Sequence, residues 1–462
     1  MIRVFNHYIS SAHLYLQVME WMILVLVFYY GSYFFIQADP FVAFNETLLT
    51  AACAIAILFS LSFSSVGMYR RMTFTKKHRF HIRLLFGYLL PLFLLYACNC
   101  LWPQNVVLQS ISIGGLAFVY FVIWAVHAQF YRIGDMEKFK RRILVIGCDN
   151  LAKQLHSTNA SYVDSSVAVV GYAHFGNKTS TFKNTITLTN NGDLTKACKD
   201  LRVQEIVLAM DDKRSALPLD ELVELKLSGI SIIDLLTYYE REERLIYLDL
   251  LSPSWFMFSD GFRVSWFRWA SKRLFDIVAS VTILVATWWI MLLAILAILI
   301  ESGWDAPVLY RQVRVGQNNR LFNMIKFRSM RVDAEKNGAQ WAMENDDRTT
   351  VVGRFIRKYR IDELPQLFVV LKGDMSFVGP RPERPEFVEG FVQTVPYYKE
   401  RHRVKPGITG WAQLCYAYGA NEFDTRRKLE YDLYYTKNYS LFLDMSILLN
   451  TIEVILFGEG VR

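Results

Sequence analysis

Five apolar stretches constrain this chain more than any other feature. Four occupy its first third, approximately residues 18–36, 47–66, 84–101 and 107–128, and the fifth is the uncharged run from Ile277 to Ile300. Each is about long enough to cross a hydrocarbon core of roughly 30 Å. Composition agrees: 53% of the 462 residues are hydrophobic, 15% are aromatic, and the net charge is +8. That balance is too apolar for an ordinary soluble enzyme and points to a membrane protein with soluble parts.

Charge sets the orientation of the first four segments. "YRRMTFTKKHRFHIR" separates the second from the third and "YRIGDMEKFKRR" follows the fourth, whereas "QADPFVAFN" and "WPQNV" carry no Lys or Arg. Basic loops stay cytoplasmic, so both ends of this four-helix set face inward. A cleavable signal peptide fits the first segment poorly, because it is long, lacks a small-residue cleavage pattern and precedes three further spans. No intramembrane run of charges marks a transport path, so residues 1–140 read as an anchor, with transport as the alternative. Cys53, Cys98, Cys100, Cys148, Cys198 and Cys415 show neither CxxC nor zinc-ligand spacing, and they read as small hydrophobes in a reducing compartment.

Residues 141–260 change character. "RRILVIGCDNLAKQLH" is a buried-strand run, a turn and a helical pattern, and "SSVAVVGYAHF" and "VQEIVLAMDD" are further strand candidates. The alternation predicts a Rossmann-like α/β module with a parallel sheet. Its first turn has only Gly147 where a dinucleotide site wants three glycines, so cofactor binding competes with a structural, oligomerising or regulatory role.

Residues 261–462 form the third region. The run from Ile277 to Ile300 is flanked by Arg263, Arg268, Lys272 and Arg273 before it and Arg311, Arg314 and Arg320 after it. Both flanks prefer the cytoplasmic side, which favours a re-entrant helix at about residues 274–300 over a plain span. Re-entry requires that the freed backbone groups be covered by protein.

Chemistry concentrates in "RKYRIDELPQLFVVLKGDMSFVGPRP". Arg354, Arg357 and Lys358 recur at helical spacing, and "ELPQLFVVLK" predicts a helix with Pro365 in its first turn and Gly373 at its end. Asp362 and Glu363 then sit at a helix start, where the dipole and the upstream basic groups are expected to keep Asp362 ionised. An ionised carboxylate there serves as a nucleophile or a hard-cation ligand, or simply as an acidic cap on a solvated basic face. Arg381, Arg403 and Lys405 on Gly-Pro turns, with Arg311, Lys326 and Arg328 upstream, suit a diphosphate. Nucleic acid is disfavoured, since no binding module is present.

The motifs "KRLFD", "YRQVRVG", "KFRSM", "IDELPQL", "GDMSFVGPRP" and "RVKPGITGWAQ" make residues 265–462 resemble the catalytic domain of bacterial sugar transferases, the monotopic polyprenyl-phosphate hexose-1-phosphate transferases. The whole chain resembles the large, exopolysaccharide-associated members. The resemblance implies a mainly α catalytic domain at the cytoplasmic face of a bacterial inner membrane. It implies a UDP-sugar donor, with glucose or galactose as the family-level expectation, and an undecaprenyl phosphate acceptor. Asp362 would be the nucleophile, Glu363 the acid associated with Mg²⁺, and Arg357 a phosphate contact. Arg381 on the Gly379–Pro382 turn would meet the nucleotide or phosphate. One departure is visible: the proline usual near the middle of the family's re-entrant helix is replaced by Trp289, so Ser280, Thr282 or Thr287 would have to relax the helix.

Other expectations stay open. The tail "YDLYYTKNYSLFLDMSILLNTIEVILF" either lies on the membrane or packs into the catalytic core. The middle module makes a homodimer plausible. A membrane-anchored nucleotide-sugar dehydratase or epimerase would need a glycine fingerprint and a Tyr-x-x-x-Lys pair, which the chain lacks. A non-catalytic scaffold would be indifferent to loss of Asp362.

Overall fold

The four N-terminal stretches fold as helices α1 (Ser11–Phe35), α2 (Glu46–Ser65), α3 (Lys77–Leu101) and α4 (Ile113–Ile133). The computed structural model describes residues 2–4, 7–9, 11–35, 46–66, 68, 77–101, 113–133, 140–147, 150–161, 167–175, 185–188, 193–210, 217–259, 261–262, 265–331, 347–416 and 421–457. Two compact units result, essentially Tyr8–Arg244 and Leu245–Arg462.

Within the first unit the helices meet through aromatic side chains, Phe28 against Phe59 and Phe59 against Tyr88, each pair with ring centroids 5.5 Å apart. Gly87 lets α3 approach α2 closely, since a Cβ there would lie 2.8 Å from the Phe63 ring. Ser62 donates to the Gly87 carbonyl at 2.7 Å across the same contact. Between α1 and α4, the Glu20 carboxylate meets the His127 ring, and both side chains are buried.

The α/β module follows the predicted alternation. β1 (Arg141–Ile146), α5 (Asn150–Ser161), β2 (Val167–Phe175), β3 (Thr185–Leu188), α6 (Asp193–Asp200), β4 (Glu205–Leu208), α7 (Leu219–Leu227), β5 (Ser231–Asp234) and α8 (Leu235–Glu242) build a Rossmann-like sheet. Its strand order is β3-β2-β1-β4-β5 and every pairing is parallel. Gly147 has its own reason to be glycine. Its φ is +136° and an added Cβ would sit 2.1 Å from the Ala209 carbonyl oxygen, so it permits close packing of the ends of β1 and β4. Cys148 and Asp149 of that turn lie outside the described residues.

The second unit begins at Leu245, earlier than the boundary expected near residue 260. Ile246 N–H donates to the Glu430 carbonyl at 3.0 Å, and the Arg427 guanidinium lies 4.9 Å from the Tyr247 ring centroid. After α9 (Pro253–Phe258), the fifth apolar stretch forms α10 (Trp266–Ser302), an unbroken run of helix. Among the described residues it is the one helix long and apolar enough to cross a membrane. At 1.5 Å per residue its 37 residues trace about 55 Å.

Both ends of α10 are built into the second unit. Near its start, Lys272 donates to Asp444 at 2.5 Å, Arg273 donates to the carbonyls of Val370 and Leu371, and Asp276 accepts from Ser376 Oγ and Phe377 N–H. Near its end, Ala294 and Ile298 pack with Phe327 and Ile356, and Glu301 accepts from Val351 N–H at 2.7 Å. Between these anchors Val281, Val285, Trp288, Trp289, Leu292 and Leu293 are exposed. In that middle, Thr287 Oγ1 donates to the Ile283 carbonyl and Trp289 Nε1 to the Ala286 carbonyl. Side chains thus draw on helix carbonyls where a proline would have freed one.

The remaining elements are an antiparallel hairpin, β6 (Leu309–Val315) and β7 (Leu321–Phe327), then α11 (Val351–Lys358), α12 (Gln366–Lys372), β8 (Ser376–Val378), α13 (Pro385–Thr394), β9 (Gly407–Thr409), α14 (Trp411–Cys415), α15 (Glu422–Asn438) and α16 (Leu441–Phe457). β8 pairs with β9 in parallel, Ser376 opposite Gly407 and Val378 opposite Thr409. Of the two readings of the tail, core packing holds for the first part of α16: Leu443, Asp444 and Ile447 are fully buried.

Candidate active site

Asp362 and Glu363 lie on a single 3-10 turn, Ile361–Glu363, between α11 and α12. Arg360 enters that turn in the left-handed region at φ +58°, which is uncommon for a residue with a Cβ and is held by the packing around it. Ile361 and Leu364 supply that packing, against the cluster of Ala294, Ile298, Phe327 and Ile356. Gly373 ends α12 at φ +101°, as the sequence pattern predicts, while the helix starts later than expected, at Gln366, with Pro365 as its N-cap rather than inside its first turn.

Cations converge on Glu363. Lys326 Nζ, from β7, donates to its Oε1 at 2.9 Å, while Arg360 and Arg381 guanidinium nitrogens lie 3.9 and 4.0 Å from the same oxygen. Burial alone would raise the Glu363 carboxyl, yet Lys326, Arg381 and Arg360 hold it down at about 2. Asp362 behaves oppositely. Burial, with the neighbouring Glu363 charge, pushes it up to about 6 against the pull of Lys326, Arg357 and Arg360. Asp362 is thus still ionised at neutral pH, but the dipole and arginines do not lower its carboxyl: α12 is only seven residues long, and burial outweighs the nearby cations.

Arg381 is fixed through its backbone. The buried Arg401 donates to the Arg381 carbonyl at 3.0 Å and pairs with Asp432 at 2.7 Å, and Arg314 donates to the Pro382 carbonyl at 3.1 Å. Below the turn, Gly379 and Gly407 let the backbones of β8 and β9 touch, since a Cβ on Gly379 would lie 2.3 Å from the Lys405 carbonyl. Arg314, Arg360 and Arg401 were not singled out as site residues from sequence. Arg314 and Arg401 do sit inside "YRQVRVG" and "RHRVKPG", and Arg360 two residues before Asp362.

The predicted basic residues therefore separate. Lys326, Arg357 and Arg381 surround the acid pair. Arg328, two residues after Lys326, lines a different cavity with Arg331 and Arg354. Arg403 pairs with Glu400 on an exposed face. Lys405 sits beside Gly373, near Arg273, on the side where α10 begins.

An acid pair ringed by cations, Asp362 buried and Glu363 partly so, is suited to binding a phosphorylated ligand. Residues 267–458 match the family model for bacterial sugar transferases. The chain is 51% identical over 191 residues to the UDP-N-acetylgalactosamine-undecaprenyl-phosphate N-acetylgalactosaminephosphotransferase of Aeromonas hydrophila, covering 41% of this chain and 45% of that one. It is 44% identical over 195 residues to the undecaprenyl-phosphate glucose phosphotransferase of Komagataeibacter xylinus, covering 41% and 36%. The uncharacterized sugar transferase EpsL of Bacillus subtilis is 42% identical over 195 residues, 41% of this chain and 90% of EpsL. The match thus spans less than half the length of the first two curated relatives and nearly all of the third. The chain belongs to the bacterial sugar transferase family.

Proposed function

We propose that the chain transfers a sugar 1-phosphate from a UDP-sugar to undecaprenyl phosphate, releasing UMP and starting an exopolysaccharide, capsule or O-antigen repeat unit. The observation that carries this reading is the convergence of Lys326, Arg360 and Arg381 on Glu363 beside a buried Asp362, within the segment shared with relatives named for such transfers. Those names cover N-acetylgalactosamine, glucose and galactose, so the donor class includes hexoses and N-acetylhexosamines.

In the first half-reaction an Asp362 carboxylate oxygen attacks the phosphorus that carries the sugar. The bond to the UMP oxygen breaks, and UMP leaves with that electron pair. In the second, an oxygen of undecaprenyl phosphate attacks the same phosphorus and Asp362 departs as carboxylate, ready for another cycle. Splitting the transfer lets a soluble donor product leave before a membrane-bound acceptor arrives. With its carboxyl at about 6, Asp362 is ionised about ten times to one at pH 7 and is poorly solvated, which favours a nucleophile. Lys326, Arg360 and Arg381 bind the diphosphate oxygens, and Glu363 keeps those cations in place.

Mg²⁺ is part of the proposal. Among the described residues no group of three or more His, Cys, Asp or Glu side chains could cage a metal. A single carboxylate does fit a Mg²⁺ ion that completes its shell with water and substrate phosphate. Glu363 would hold it, leaving Asp362 as the nucleophile, and it would supply neutralisation of charge on the diphosphate.

Re-entry of α10 is supported by its anchors. A bilayer-crossing helix delivers its ends to opposite faces, whereas both ends of α10 are bonded to one compact unit. The middle would then dip into the cytoplasmic leaflet of the inner membrane, with α1–α4 as the anchor. Rapid mixing without acceptor tests the chemistry: one equivalent of UMP per site and a sugar phosphate mapped to the Asp362 peptide are expected. Absence of UMP until undecaprenyl phosphate is added would reject the covalent route.

A further inference from the structure

The strand β7 stops at Phe327, and the next side chain enters a different environment. Arg328 is only 7% exposed, and its Nη1 and Nη2 are buried with no hydrogen-bond partner among the described residues. It lines a cavity of about 680 Å³ together with Glu301, Arg331, Thr350 and Arg354. Glu301, whose charge acts on Arg328, makes no hydrogen bond to it: it accepts the Val351 and Val352 amides at 2.7 and 3.2 Å and so caps α11. Thr350 Oγ1 is occupied likewise, accepting from Gly353 N–H at 2.9 Å. Among the described residues, three arginines and two acids, Glu301 and Asp347, line the cavity.

A buried guanidinium whose two terminal nitrogens lack a hydrogen-bond partner is costly, and its forked donors match the oxygens of a phosphate group. The cavity lies where the apolar side chains of α10 end, at Glu301 and Ser302. Arg354 lines it while Arg357, one helical turn on, faces Asp362, so the cavity and the acid pair are neighbours that share α11. We infer that the Arg328 cavity is a second phosphate-binding site, separate from the Asp362–Glu363 pair, that takes the phosphate of a lipid headgroup or a free phosphate. This inference does not rest on the transfer reaction and is tested without turnover.

The test uses the full chain and its thermal unfolding midpoint. One arm titrates inorganic phosphate against chloride at equal ionic strength in detergent. The other compares nanodiscs of phosphatidylcholine with and without phosphatidic acid. The expected result is an upward shift of about 5 °C in at least one arm. It should persist in Arg381→Gln, which weakens the acid-pair site, and vanish in Arg328→Met. A shift with inorganic phosphate assigns a free phosphate, and a shift with phosphatidic acid alone assigns a headgroup. If Arg328→Met does not fold, the exposed Arg354→Gln decides, with about a tenfold higher phosphate concentration needed for half the shift. Equal shifts in wild type and variants, or no shift in either arm, would overturn the inference.

Discussion

Replacing the proposed nucleophile should make the protein more stable. Asp362 is 7% exposed, and burial with the Glu363 charge lifts its carboxyl from 3.8 to about 6. Between those two values the folded chain holds a proton that the unfolded chain has lost, so stability falls as pH rises through that window and levels off above it. The displacement of about two pH units corresponds to about 3 kcal/mol lost at pH 8. Asp362→Asn removes the charge and keeps the shape. In a domain of about 200 residues that stabilisation is worth about 6–12 °C in melting temperature. Circular dichroism or differential scanning fluorimetry from pH 3.5 to 8, in EDTA so that no divalent cation offsets the repulsion, would measure it. The variant should melt above the wild type at pH 8, with the gap closing below pH 4. An equal or lower melting temperature at pH 8, or a gap that does not change with pH, would refute the reasoning.

Three other outcomes follow from the geometry. Lys326→Met removes the nearest cation from Glu363 and a stabilising charge from Asp362, so the acid limb of the pH–rate profile should move to higher pH; an unmoved limb would sever Lys326 from the pair. Asp276→Ala leaves the Phe377 amide and the buried Ser376 hydroxyl without their acceptor, at a cost of about 3 kcal/mol, and Asp276→Asn, which keeps an acceptor oxygen, should lose less than half of that in urea unfolding. Gly353→Ala would place a Cβ 1.9 Å from the Ser329 carbonyl oxygen and should abolish folding of the catalytic unit, whereas Gly390→Ala on α13, with nothing within 4 Å, should leave it unchanged or up to about 1 kcal/mol more stable by thermal melting.

Much of this arrangement was legible in the residues. The parallel sheet follows from apolar strands alternating with amphipathic helices, and the core of α10 from its uncharged run, although the helix starts earlier, at Trp266. Pro365 and Gly373 bracket α12 because their backbone preferences suit a helix start and a left-handed end. Long-range packing was not legible. Lys326 and Arg328 look equivalent under the two-residue period of a strand, but β7 ends at Phe327, so the alternation lapses and the two side chains part. The Asp362 environment was misjudged because its burial comes from Ile361 and Leu364 docking on α10, a contact about 65 residues away in sequence. "KRLFD" was recognisable as a motif, yet its role in tying α10 to β8, α12 and α16 needs partners about 100 residues or more downstream.

UMP release by the purified full chain in nanodiscs tests the central claim most directly. The assay would use undecaprenyl phosphate, Mg²⁺ and a panel of UDP-hexoses and UDP-N-acetylhexosamines, with Asp362→Asn alongside. The account predicts release from at least one donor and its loss in the variant. Folded wild-type protein that releases UMP from none of them, or a variant as fast as the wild type, would contradict it.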